Sequence, residues 1–127
     1  MAVDDDATVL MFISTVLRQK GHHVLEAKGS VKAMEILNMF PSKMNLLVTD
    51  VKMEPNSGLE LAEVVRQKNP AAKILYLTTN AAAKEQVAEE LRQKTASALQ
   101  KPFTPANFLK AVDSILAAKG STSKQIR

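Results

Sequence analysis

Along this chain, short continuous apolar runs alternate with longer stretches in which apolar residues recur every three to four positions. The first pattern predicts buried strands and the second amphipathic helices. Met1-Ala2-Val3 is a short strand candidate ending on Asp4-Asp5-Asp6, and a helix follows from about Ala7 to Lys20. Asp6 is its expected N-cap and Gly21 its stop, with Val9, Ile13, Val16 and Leu17 on the apolar face. A second strand is expected at His23–Ala27, and Gly29-Ser30 opens a helix to about Met39 whose buried stripe is Ala33, Ile36, Leu37 and Phe40. Pro41 ends it.

Asn45-Leu46-Leu47-Val48-Thr49-Asp50 is the most telling run, apolar and β-branched residues stopped by one carboxylate and a loop reaching Gly58. It predicts a central parallel strand with Asp50 at its carboxyl end. A helix over Leu59–Lys68, a strand over Lys73–Thr78 and a helix over Ala81–Lys94 follow, the last with a thin stripe of Val87, Leu91 and alanines. Ser97–Gln100 is a weak fifth strand leading into Lys101-Pro102-Phe103. The final helix, about Pro105 to Lys119, is expected to bury Phe108, Leu109, Val112, Ile115 and Leu116. Five strands alternating with five helices predict right-handed βαβ units and an α/β fold, a doubly wound parallel sheet covered on both faces.

Length and composition add limits. With 127 residues, 46% hydrophobic and 24% charged, the chain reads as one globular domain. No apolar run approaches a bilayer span, so no membrane partner is expected, and the acidic start is unlike a secretory signal. The absence of cysteine excludes disulfides, thiolate metal sites and a Cys nucleophile. A cytoplasmic location fits these features. The net charge of +4 arises in residues 101–127, which carry Lys101, Lys110, Lys119, Lys124 and Arg127 against Asp113 alone. Those charges are spread over a helix and a tail, and only five residues are aromatic, so direct nucleic-acid binding is not expected. Residues 120–127 lack apolar periodicity and read as a mobile tail or linker stub after a domain spanning 1–119.

The chemistry-bearing residues fall at strand ends. Asp4 and Asp5 follow the first strand, Asp50 ends the third, Thr78 the fourth, and Lys101 follows the fifth. In a sheet of order 2-1-3-4-5 the first and third strands are neighbours, and their carboxylates share the crevice at the switch point. Crowded carboxylates resist ionisation unless a cation joins them, and an all-oxygen donor set suits Mg²⁺. Each residue also has a plainer reading: Lys101 as a solvated lysine beside a proline, Thr78 as a β-former, the aspartates as complements to a helix dipole. His22-His23 is not expected to share a metal, since neighbours in a strand point to opposite faces, and a surface position at the sheet edge is expected.

Taken together, Asp4-Asp5, Asp50, Thr78 and Lys101-Pro102-Phe103 resemble the receiver domain of two-component response regulators, over Val3 to about Ala118. The resemblance implies a flavodoxin-like three-layer sandwich that switches in signal transduction and is not a turnover enzyme. It implies that Asp50 is the phosphoacceptor, supplied by a sensor histidine kinase or a phosphotransfer protein in a phosphorelay. It further implies that Asp5 holds Mg²⁺ with Asp50 and the Lys52 backbone carbonyl, supported by Asp4. Thr78 and Lys101 would contact phosphoryl oxygens, and Lys52 and Asn80 would tune the lifetime of the phosphoryl group. An output partner or downstream domain is implied but not named, and a cis Lys101-Pro102 bond is expected.

The sequence departs from the family pattern at four places. Thr79 stands where a very small residue is usual, Lys94-Thr95 where Gly-Ala is usual, and Ala98 where an aromatic commonly changes rotamer. Met53-Glu54-Pro55 displaces the loop proline by one. Without an aromatic at Ala98, movement of the 81–94 helix is the expected alternative route for the signal. Thr79 and Ala98 keep open a receiver-fold interaction module that works without phosphorylation. A phosphohydrolase using Asp50 would need a second catalytic acid, which Lys52 does not supply.

Overall fold

Three buried strands form the middle of the molecule, and their residue types explain why. In the computed structural model, which describes residues 1–39, 44–79, 85, 87, 88 and 96–117, β1 (Ala2–Val3), β3 (Leu46–Asp50) and β4 (Lys73–Thr78) are almost wholly buried. The flanking strands are β2 (Glu26–Ala27) and β5 (Ala96–Gln100). All pairings are parallel and the order is β2-β1-β3-β4-β5, as the alternation predicts. The helices are α1 (Ala7–Gln19), α2 (Ser30–Met39), α3 (Gly58–Lys68) and α4 (Pro105–Ala117).

Because side chains alternate across a strand, each β-residue feeds one of two cores. Leu47, Ile74 and Tyr76 pack with Ala33, Leu37, Leu61 and Val65 of α2 and α3. Val48, Leu75 and Leu77 pack with Leu10, Ile13, Leu17, Phe108 and Val112 of α1 and α4. The result is a three-layer sandwich, with the strands' carboxyl ends along one rim.

Local signals set the helix ends. The Asp6 side chain accepts from the amides of Thr8 and Val9, capping α1 as expected, and Gly21 leaves the helix at φ +91°. At α3, Ser57 and Glu60 form a reciprocal capping box, a signal the sequence reading passed over.

Several expectations need correcting. The second strand is only Glu26–Ala27, because Leu25 is exposed and the lead-in from His23 makes too few ladder bonds to continue. Leu116 is exposed near the end of α4, and Leu109 and Val9 are half-buried; Leu10, not Val9, turns fully inward. The helix expected over 81–94 lies outside the described residues except Glu85, Val87 and Ala88, of which Val87 is wholly buried. Leu91, Phe40 and the expected tail 120–127 also lie outside them. No helix among the described residues is long and apolar enough to cross a membrane.

Candidate functional site

Among the described residues, the rim where β1, β3 and β5 end gathers three carboxylates and one ammonium. β1 delivers Asp4 and Asp5, β3 delivers Asp50, and the turn after β5 delivers Lys101. One carboxylate oxygen from each of Asp4, Asp5 and Asp50 lies within 4.8 Å of the others. Lys101 Nζ donates to Asp4 Oδ2 at 2.8 Å and to Asp50 Oδ2 at 3.3 Å. Asp4 is fully buried and its Oδ1 accepts from the Asp6 amide at 2.8 Å, whereas Asp5 is exposed.

Several contacts position these groups. The Lys101 amide donates to the Thr78 carbonyl at 2.7 Å, joining the ends of β4 and β5. Lys101-Pro102 is cis, as expected, and so is Glu54-Pro55. Phe103 stacks between Phe12 of α1 and Phe108 of α4, with ring centroids 5.7 and 5.6 Å apart. This stack fixes the segment that carries Lys101, and its only sequence signal was the spacing of isolated phenylalanines. Beneath Asp50, the Thr49 hydroxyl donates to the Asp50 carbonyl at 2.9 Å. Gly58 packs against the same carbonyl; a Cβ there would overlap the oxygen and lie 3.0 Å from the carbonyl carbon. Its amide donates to the Val51 carbonyl at 2.9 Å.

The electrostatics follow from this geometry. Burial pushes the Asp50 carboxyl above its ordinary 3.8; Lys101 pulls it down, the charge of Asp4 pushes it up, and bonds from Lys101 and the Lys52 amide pull it down. Burial works to lower the Lys101 ammonium, but hydrogen bonding and charge from Asp4, with the charge of Asp50, outweigh it and hold Lys101 above 10.5. With three carboxylates ionised and one ammonium, the cluster carries two uncompensated negative charges. Exclusively oxygen donors, two charges in excess and an exposed flank at Asp5 match a hard divalent cation such as Mg²⁺.

The remaining expected residues fall as follows. Thr78 is buried at the end of β4, Thr79 is exposed beside it, and the Lys52 side chain is exposed. Asn80 lies outside the described residues. Ala98 is half-buried and pairs in register with Tyr76, which is wholly buried on the α2–α3 side of the sheet. The aromatic ring at this level is therefore on β4 and not on β5. His23 is exposed and His22 half-buried, and both line a concavity of about 670 Å³ at the opposite end of the strands, far from the carboxylates.

A family model described as the response regulator receiver domain matches residues 1–113. The chain is 30% identical over 118 residues to the chemotaxis protein CheY homolog of Campylobacter jejuni, covering 91% of this chain and 90% of that protein. A response regulator receiver protein from Sinorhizobium medicae superimposes with a TM-score of 0.79 at 29% identity, covering 93% of each chain. The response regulator TrrA of Thermotoga maritima, solved in complex with Mg²⁺-BeF, superimposes with a TM-score of 0.69 at 24% identity, covering 90% of this chain and 95% of that one. The chain spans only 26% of the transcriptional regulatory protein GlrR of Escherichia coli, to which it is 26% identical over 116 residues.

Proposed function

This chain belongs to the response regulator receiver domain family, and from that premise we propose that it accepts a phosphoryl group on Asp50 and so switches a partner. The observation that carries this is Lys101 Nζ bridging Asp4 and Asp50 beside Asp5, a site with a carboxylate nucleophile and charge excess for a metal. An Asp50 carboxylate oxygen attacks phosphorus, the bond to the donor's imidazole nitrogen breaks, and an acyl phosphate forms. Such transfer needs mainly positioning and neutralisation of the transferred oxygens.

Asp5, Asp50 and the Lys52 backbone carbonyl would hold Mg²⁺, with Asp4 in support. The metal, when bound, supplies charge neutralisation at the phosphoryl oxygens. The Lys101 ammonium neutralises one phosphoryl oxygen and the Thr78 hydroxyl donates to another. Lys52 and Asn80 flank the phosphoryl group and set its lifetime. The donor is a sensor histidine kinase or a phosphotransfer protein, and residues 1–119 act as the receiver unit on an output partner or downstream domain. The setting is the cytoplasm, with no turnover of a free substrate beyond formation and loss of the acyl phosphate.

The test is intact mass after incubation with acetyl phosphate and Mg²⁺, for wild type and Asp50→Asn. One added phosphoryl group in wild type, absent from the variant and without metal, is the expected result. A second reading has a specific observation behind it: Thr79 is exposed at the rim and Ala98 leaves β5 without a ring. A wild type that takes up no phosphoryl group from acetyl phosphate or any kinase, yet retains a partner, would make this a phosphorylation-independent interaction module.

A further inference from the structure

Resting on the receiver reading, we propose that Ser30 is a positioning residue that holds the Asp50 loop in the shape its Mg²⁺ site requires. The loop between β3 and α3, residues 51–57, carries the Lys52 carbonyl only two residues after Asp50. It is anchored at its start by Val51, which is buried and whose amide donates to the Leu77 carbonyl at 3.2 Å. Farther along, the Asn56 amide donates to Ser30 Oγ at 3.1 Å. Ser30 is the first residue of α2, 26 positions earlier, and is fully buried. The contact therefore ties the loop to a helix that contributes nothing else polar to the carboxylate cluster among the described residues.

A loop amide that loses a partly buried acceptor must find another, and Asn56 can do so only by moving. Between the fixed Val51 and the α3 cap at Ser57, such movement is absorbed by residues 52–56, which include Lys52. Carbonyl ligands are sensitive to small rotations because the metal sets both distance and direction, and partners that orient a ligand affect affinity strongly. Ser30 itself touches no reacting atom. Its effect on the chemistry passes through the loop backbone.

The test compares Ser30→Ala with Asn69→Ala in the full chain. Asn69 Nδ2 donates to the Met44 carbonyl at 3.0 Å at the far end of α3, so its loss is a destabilising control remote from the site. Mg²⁺ affinity by titration calorimetry, amide hydrogen exchange at Asn56, thermal stability and acetyl phosphate kinetics are measured on each. Ser30→Ala is expected to weaken Mg²⁺ binding about tenfold and to speed exchange at Asn56. Saturating Mg²⁺ is expected to restore its phosphorylation rate, the split expected of a lost metal-binding contribution. Asn69→Ala is expected to lose stability while leaving Mg²⁺ affinity unchanged. Unchanged Mg²⁺ affinity in Ser30→Ala, or equal weakening in both variants, overturns the inference alone. A wild type that binds no Mg²⁺ overturns the receiver reading and this inference together.

Discussion

Gly58 lies directly against the backbone carbonyl of Asp50, with no room between them for a side chain. A methyl group there must push the end of β3 or the start of α3 aside. Gly58→Ala is expected to cost about 1–3 kcal/mol of stability through overpacking. Moving the nucleophile also slows phosphorylation by acetyl phosphate, by about tenfold or more. Urea unfolding and phosphorylation kinetics check both, and a variant with wild-type rate would show that Asp50 tolerates the displacement.

Lys101→Met removes the one cation from a cluster of three carboxylates. Asp4, fully buried, then loses its ion pair and keeps the bond from the Asp6 amide. Water still reaches part of Lys101 and Asp50, so the expected loss in metal-free protein is about 2 kcal/mol, below that for a fully buried pair. Mg²⁺ should recover much of that stability by restoring positive charge, while phosphorylation stays slow for want of the ammonium. Thermal melts with and without Mg²⁺ measure the first expectation; a Mg²⁺-induced gain smaller than in wild type would contradict it.

The raised Asp50 pKa gives a pH dependence with a definite sign. Its folded pKa lies above the ordinary 3.8, so the native state binds this proton more tightly than the unfolded chain does. Asp50 therefore costs stability as pH rises from about 4 through its folded pKa. Asp50→Asn, which cannot charge, should be more stable than wild type at neutral pH without metal. A variant less stable than wild type under those conditions would reverse the sign assigned here.

Thr79 stands exposed beside the buried Thr78, at the rim that a phosphoryl donor would cross under the proposed function. Thr79→Ala clears two heavy atoms from that approach. Phosphorylation by acetyl phosphate should become faster, with stability unchanged within about 0.5 kcal/mol, as for surface substitutions generally. An equal or slower rate would remove steric access as the reason this departure from the family matters.

The sheet was legible because its signal is redundant. Asn45–Asp50 and Lys73–Thr78 are apolar on both faces, and only a doubly covered parallel sheet buries both. The strand-end carboxylates could likewise be placed, since strand order brings Asp4 beside Asp50 once the sheet is accepted. What the sequence hid lies in contacts between distant elements. Ser30 and Asn56 look like ordinary helix-start and loop residues, and nothing local joins them. Gly58 reads as a turn glycine, though its role comes from the backbone beneath it. The length of β2 was overestimated because His23-Val24-Leu25 has strand composition, while strand status depends on neighbours that supply ladder bonds.

The two bonds made by the Lys101 ammonium span 97 residues to Asp4 and 51 to Asp50. A chain leaving the ribosome exposes both aspartates long before it exposes that lysine. Completion of the cluster thus waits on the last strand, and a chain stopped before Lys101 would hold the Asp50 carboxylate without that cation beside it.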